Sequence, residues 1–173
     1  MTLVNDLLTM LQLRTRTLEI EKMEFDVYEL LETAVAAAAP LAEKKGIELC
    51  LRAGPLPSGL GDRARVGQLV DNLISNAVKY TLTGGRVEVG AESDGESVRI
   101  AVCDTGLGMS ENDLERLFEP FFRGTSAVRA EVPGVGLGLA ISQSIAHAHG
   151  SSIEVESVEG VGTTFAFRLP AGD

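Results

Sequence analysis

The chain has 173 residues, 45% of them hydrophobic, 23% charged and 5% aromatic, with a formal net charge of −10. That length predicts one domain, with at most a short appendage, and a core large enough to need no staple. The acidic balance argues against nucleic acid or an anionic membrane as the main partner, no apolar run is long enough to span a bilayer, and Met1 leads into no signal peptide. Cys50 and Cys103 stand alone in apolar stretches, which suits core packing in a reducing compartment better than a disulfide or a metal site.

The first 18 residues predict a helix, with Leu3, Val4, Leu7, Leu8 and Leu11 on one face. Such a stripe needs a partner, and it reads as the end of a longer helix that begins upstream of Met1. Glu19 to Asp26 is charged and reads as the join. A second helix is expected near Val27–Lys45, stopped by Gly46. Ile47–Arg52 alternates as a strand does, and Gly54–Gly59 reads as loop. Asp62 is placed to cap a long helix running to about Thr81. Two strands, Arg86–Glu92 and Ser97–Asp104, flank the hairpin signal Asp94-Gly95. Ser110 caps a short helix with acids in its first turn. Glu119–Pro133 has no clean period, Gly136–His149 is helical, and strands Ser152–Ser157 and Thr163–Leu169 close the chain. This order predicts an α+β fold: a two-layer α/β sandwich whose mostly antiparallel mixed sheet is covered on one face by helices.

Five segments carry candidate chemistry. On the long helix, Val66, Leu69, Val70, Leu73, Ile74, Ala77 and Val78 form the apolar face. Arg65, Gln68, Asn72, Asn76 and Lys79 form a polar stripe. A solvated face would be the ordinary explanation, but asparagine is a poor interior helix former, by up to about 0.7 kcal/mol against alanine. Two asparagines at i, i+4 beside a lysine offer carbonyl oxygens for a hard cation and an ammonium for phosphate. Asp104 closes a strand whose alternate residues Val98, Ile100 and Val102 face the core. Gly106 and Gly108 follow it, so an Asp-Gly turn bonded to its own backbone and an acceptor for an adenine amine are both open readings. Gly134-Val135-Gly136-Leu137-Gly138 opens a helix, where bare N–H groups can cradle phosphate. Three phenylalanines crowd Phe118–Phe122, and an aromatic plug in the core and the anchor of a lid from which Arg123 would reach phosphates are both open readings. The segment from Gly124 to Pro133 has few apolar anchors and is expected to order when nucleotide binds. Gly160-Val161-Gly162-Thr163 alone would be a hairpin turn.

Taken in series, these segments resemble the ATP-binding domain of bacterial sensor histidine kinases, within the Bergerat-fold ATPase superfamily. Asp71–Thr81 is similar to that family's N box, Asp104–Gly108 to its G1 box and Phe118–Phe122 to its F box. Gly134–Gly138 is similar to the G2 box and Gly160–Thr163 to the last glycine box. The resemblance divides the chain into residues 1–22, the end of a dimerisation and phosphoacceptor-domain helix with its linker, and residues 23–173, the catalytic ATP-binding domain. It implies ATP and Mg²⁺ as cofactors, with Asn76 as the metal ligand. Asn72 and Lys79 would contact phosphates, Tyr80 would line the nucleotide pocket and Asp104 would bond the adenine amine. Gly106 and Gly108 would shape the base pocket. Arg123 and the loop Gly134, Gly136, Leu137 and Gly138 would meet the phosphate tail, with Thr163 also in the pocket.

The implied reaction transfers the γ-phosphoryl group to a histidine in the kinase's own dimerisation domain, homodimeric in the full-length parent, for relay to a response regulator receiver domain. No nucleic acid is implied. The domain would be cytoplasmic, whether or not the parent is anchored in a membrane. An anti-sigma-type serine kinase and a silent nucleotide-binding scaffold are the alternatives. The leucine-striped front helix disfavours the first, and the intact motifs disfavour the second. Two departures matter. The acceptor histidine would lie before Met1, leaving only His147 and His149, expected to ease a helix dipole. Where related hydrolytic ATPases carry a water-activating Glu, this chain has Asn72, so ATP hydrolysis should be slow.

Overall fold

The computed structural model describes residues 20–125 and 134–172. The striped front helix, and the segment expected to order with nucleotide (apart from Gly124 and Thr125), lie outside these residues.

Five strands form the main sheet: β2 (Glu48–Ala53), β4 (Arg86–Ser93), β5 (Ser97–Asp104), β6 (Glu154–Val158) and β7 (Gly162–Pro170). Their spatial order is β2-β4-β5-β7-β6; only the β2–β4 pair is parallel. The long helices are α1 (Val27–Lys45), α2 (Arg63–Tyr80) and α4 (Gly138–Ala148), with a short α3 (Glu111–Arg116) between β5 and α4. Helix α2 packs between α1 and α4 and against β4 and β5. Val66, Leu69, Val70, Leu73, Ile74, Ala77 and Val78 are its buried face. They meet Val87, Val89, Val98, Ile100, Val102, Phe165, Phe167 and Leu169 of the sheet. Alternation of two on the strands and of about 3.6 on the helix thus closes one core between two layers. This is the expected α+β sandwich.

Local chemistry sets the helix ends. Asp26 Oδ1 accepts from Glu29 N at 2.9 Å and Asp62 Oδ1 from Arg65 N at 3.1 Å, each satisfying an orphan donor of a first turn. Such a cap contributes about 1 kcal/mol. Gly46, at φ 66°, ends α1 in the left-handed conformation that glycine adopts without penalty.

Two expectations are corrected and a third is extended. Met23–Phe25 is not a mere join: it is a strand, β1, paired antiparallel with β3 (Gly59–Gly61), which lay hidden at the end of the expected loop. The pair is only three residues long on each side, too short for a periodic signal. Cys50 and Cys103 are not core residues. Strand parity places both on the sheet face away from the helices, where Cys103 is exposed and Cys50 half-buried, each opposite Glu88 in the register. His149 does bond a last-turn carbonyl of its helix, but it does so from the core and with a second partner that was not expected. It is 3% exposed, with Nδ1 at 2.8 Å from the Ile145 carbonyl and Nε2 accepting from Asp62 N at 3.0 Å. It thereby ties the end of α4 to the cap of α2.

Candidate nucleotide site

Two adjoining cavities open between α2, α4 and the loops that carry the glycines. The larger, about 500 Å³, brings together Asn72, Asn76, Lys79, Tyr80, Gly134, Gly136, Leu137 and Gly138. The smaller, about 80 Å³, brings together Asn76, Tyr80, Asp104, Gly108, Arg123 and Thr163, with Phe122 and Phe165 among its apolar walls. Asn76 and Tyr80 face both, so the two form one continuous site. Arg123, expected at the phosphate tail, stands on the smaller, base-sized side.

The polar stripe of α2 supplies the floor of the larger cavity. Asn72 is already engaged: its Nδ2 donates to Ser142 Oγ at 2.7 Å. Its Oδ1 lies so close to Gly138 that any β-carbon there would collide with it. Among the described residues the Asn76 amide has no hydrogen-bond partner, which leaves its carbonyl oxygen available. Lys79 Nζ lies 5.3 Å from the Tyr80 ring centroid and against Gly134, where a β-carbon would come within 2.5 Å of it. Burial, and then the neighbouring Arg123 cation, hold the Lys79 ammonium below its ordinary pKa. Burial likewise pushes the Tyr80 phenol up.

Above this floor stands the start of α4. Its N-cap, Leu137, offers no side-chain acceptor, so the N–H groups of the first turn remain for a ligand. Gly136, at φ 79°, needs its freedom, because a β-carbon would come within 2.5 Å of the Phe122 carbonyl. That close approach is locked by Phe121 N donating to Gly136 O at 2.8 Å. Phe121 itself sits at φ 66°, a conformation few bulky residues adopt.

In the smaller cavity Asp104 is 7% exposed. Its Oδ1 accepts from Gly106 N at 2.8 Å, so the turn bonded to its own backbone is present. The backbone of Thr163 supports the carboxylate as well, yet burial outweighs both bonds and its pKa is raised. Gly106 lines neither cavity. It lets the loop pass close to the Tyr80 carbonyl, where a β-carbon would come within 2.6 Å of the oxygen and clash. Gly108 performs the same service against the Val158 carbonyl.

Sequence reasoning missed Ser142, 1% exposed, and Asp113, 5% exposed, whose carboxylate accepts from Thr125 N at 2.9 Å and Thr125 Oγ1 at 3.0 Å. A serine four residues past the start of an apolar helix was the available signal for the first. Asp113 was read only as a first-turn acid.

A buried acceptor beside a flat apolar slot, opening onto bare helix N–H groups, a lysine and a carboxamide, is the geometry of a nucleoside triphosphate site. Residues 61–173 match the family described as histidine kinase-, DNA gyrase B- and HSP90-like ATPases, and the chain belongs to that family. It is 37% identical over 172 residues to the histidine protein kinase DivJ of Caulobacter vibrioides, covering 97% of this chain and 28% of that one. The crystal structure of full-length ShkA with AMPPNP superposes with a TM-score of 0.86 at 34% identity, covering 98% of this chain and 35% of ShkA. Histidine kinase ThkA in complex with response regulator protein TrrA gives 0.74 at 25% identity, covering 98% of this chain and 49% of that one. The chain therefore spans about a quarter of the length of DivJ. The family is an ATP-binding one. Among the described residues no helix is long and apolar enough to cross a membrane.

Proposed function

We propose that this chain is the catalytic ATP-binding part of a sensor histidine kinase, that it holds Mg-ATP, and that it passes the γ-phosphoryl group to a histidine on a separate dimerisation domain. The unengaged Asn76 amide, at the junction of the base-sized and phosphate-sized cavities, carries this reading. A hard cation takes oxygen ligands, and the free carbonyl oxygen of Asn76 would supply one. The bound Mg²⁺ would neutralise phosphate charge during transfer. Asp104 would accept from the adenine amine. Lys79 and the first N–H groups of α4 would hold the phosphates in line for attack by the histidine nitrogen, which forms the new N–P bond as the bond to ADP breaks. Positioning and charge neutralisation are most of what phosphoryl transfer asks of a protein.

Residues 1–22 would be the end of the dimerisation-domain helix and its linker, and a receiver domain would be the next phosphoryl acceptor. The ThkA–TrrA complex supports that relay by likeness, and the kinase relatives favour histidine over serine as the acceptor.

The chain's own histidines are misplaced for the role: His147 stands nine residues past Gly138, about 14 Å along α4 from the N–H groups that would hold phosphate at 1.5 Å per residue. His149 is buried against the cap of α2, about 21 Å along that helix from Asn76 at 1.5 Å per residue. In-line transfer needs about 3–3.5 Å. With γ-labelled ATP the chain alone should take up no label. A separately supplied dimerisation domain bearing its histidine should become labelled, acid-labile and alkali-stable. Labelling of this chain alone would overturn the missing acceptor, and acid-stable label on a serine substrate would restore the serine-kinase alternative.

A further inference from the structure

The last turn of α2 ends in the middle of the site, and a helix end leaves carbonyls that need partners. Each of these finds one here. The Ala77 carbonyl accepts from Thr81 N at 3.0 Å and Thr81 Oγ1 at 2.7 Å. Tyr80 O accepts from Leu107 N at 3.2 Å, in the loop after Asp104. The other three, Val78 O, Lys79 O and Thr81 O, all accept from the Lys45 ammonium, at 2.7, 2.9 and 2.9 Å. One cation from the end of α1 therefore closes the end of α2, more than thirty residues away in sequence, and complements the negative pole of its dipole.

The surrounding loops enforce this contact. Gly84 N donates to Gly46 O at 2.9 Å and Glu48 N to Gly85 O at 3.0 Å, seating the α1–β2 turn against the α2–β4 loop. Lys45 makes no ion pair among the described residues, so its three protons serve the carbonyls. The peptide it grips is the one whose side chains form the floor of both cavities: Lys79 toward the phosphate side, Tyr80 toward both.

We propose that Lys45 is a positioning residue for nucleotide binding: its ammonium, bonded to three carbonyls at the end of α2, sets where Lys79 and Tyr80 present themselves to ATP. It touches neither cavity and acts only through that last turn. An ammonium with three donors converging on carbonyls is a fixed point. A neutral side chain of the same length would leave three carbonyls to water and let the turn fray. An arginine can still donate to several of them.

This inference rests on the reading of the cavities as an ATP site, so the test begins with the unaltered chain and Mg-AMPPNP in a calorimeter. No binding there would remove the ATP reading itself. Given binding, Lys45→Met should weaken Mg-AMPPNP at least fivefold, measured at a temperature where circular dichroism shows the variant folded. Lys45→Arg should stay within twofold of the wild type. Hydrogen exchange should quicken at residues 78–83 in Lys45→Met and not across the sheet. Wild-type affinity in Lys45→Met, even with lowered melting temperature, would reduce Lys45 to a purely structural cap and overturn the proposal. So would a Lys45→Arg variant as weak as Lys45→Met. If Lys45→Met does not fold, the ¹⁵N resonance of the Lys45 ammonium in the unaltered chain decides. It should be slow to exchange and should shift on addition of Mg-AMPPNP, and a rapidly exchanging, unshifted signal would overturn the proposal.

Discussion

The two halves of the site differ in how finished they are before any ligand arrives. The base-sized half is about 80 Å³, walled by Phe122, Phe165 and Leu107, and both of its acidic groups are already engaged, Asp104 by the Gly106 N–H and Asp113 by Thr125. The phosphate-sized half is about 500 Å³, and its groups are only partly committed. Asn72 is tied to Ser142, while Asn76 and the first turn of α4 have no side-chain partner among the described residues. A flat neutral ring gains from a slot preformed to its shape, because little has to be ordered on binding. A triphosphate brings charge and its own cation, so the protein needs unspent donors and acceptors at the right places. The same helix, α2, serves both, with Asn76 as the hinge between them.

The largest effect expected breaks the two halves apart. Asn76→Ala or Asn76→Asp should lower Mg-ATP affinity by about a hundredfold, roughly 2.7 kcal/mol, while the fold and the binding of adenosine persist. Calorimetry with the two ligands measures both. Unchanged Mg-ATP affinity would mean that the metal is held elsewhere, and a parallel loss for adenosine would mean that the halves are not separable.

A tenfold effect is expected at Asp104. Its carboxylate accepts from an adenine amine but would face the exocyclic oxygen of guanine, and an unpaired buried group costs about 1–3 kcal/mol. ATP should bind at least ten times tighter than GTP, and Asp104→Ala should erase the difference. The raised pKa of Asp104 adds a direction. As pH falls, this carboxylate protonates earlier than an ordinary aspartate, so the preference for ATP should fade on the acid side before the fold does. Equal binding of the two nucleotides at neutral pH would remove Asp104 from base recognition.

Lys79→Met should cost a similar or smaller factor, about five- to tenfold for ATP and nothing for adenosine. Burial and Arg123 lower the pKa of Lys79, so its charge is lost at lower pH than that of a free lysine. ATP affinity should therefore decline on the alkaline side below the ordinary lysine range, and the decline should vanish in Lys79→Met. A decline that survives the substitution would assign it to another group.

Most of this site was readable from residue order, and the exceptions share a cause. Periodicity found the apolar face of α2, and therefore the opposite stripe. Glycine spacing found the loops. Even Cys103 was decidable, because it is out of phase with Val98, Ile100 and Val102, which were read as facing the core. What stayed hidden was long-range pairing. Nothing local in Lys45 names carbonyls at residues 78, 79 and 81, nothing in His149 names the amide of Asp62, and nothing in Met23–Phe25 names Gly59–Gly61. Arg123 was assigned to the phosphates from its charge and from the resemblance, whereas the fold of its loop sets it on the base side.

The smallest effect expected distinguishes two roles for Asn72. The resemblance gives it a phosphate contact, and the structure gives its amide to Ser142, 1% exposed on α4. If the amide mainly ties α4 to α2, removing either partner removes the same bond. Ser142→Ala then leaves one donor unpaired at the edge of a cavity that water reaches, so the cost should be about 1 kcal/mol rather than the full penalty of a sealed site. In a chain of this length that lowers the melting temperature by about 2–4 °C. The α4 N–H groups would loosen only slightly, and ATP affinity should fall two- to fivefold. Asn72→Ala should match it, with the double variant no worse than either single one, since both delete one bond. A direct phosphate contact predicts otherwise: Asn72→Ala would then cost clearly more ATP affinity than Ser142→Ala, and the excess would persist in the Ser142→Ala background. Calorimetry on the three variants separates the roles, and additivity of the two substitutions would sink the tie.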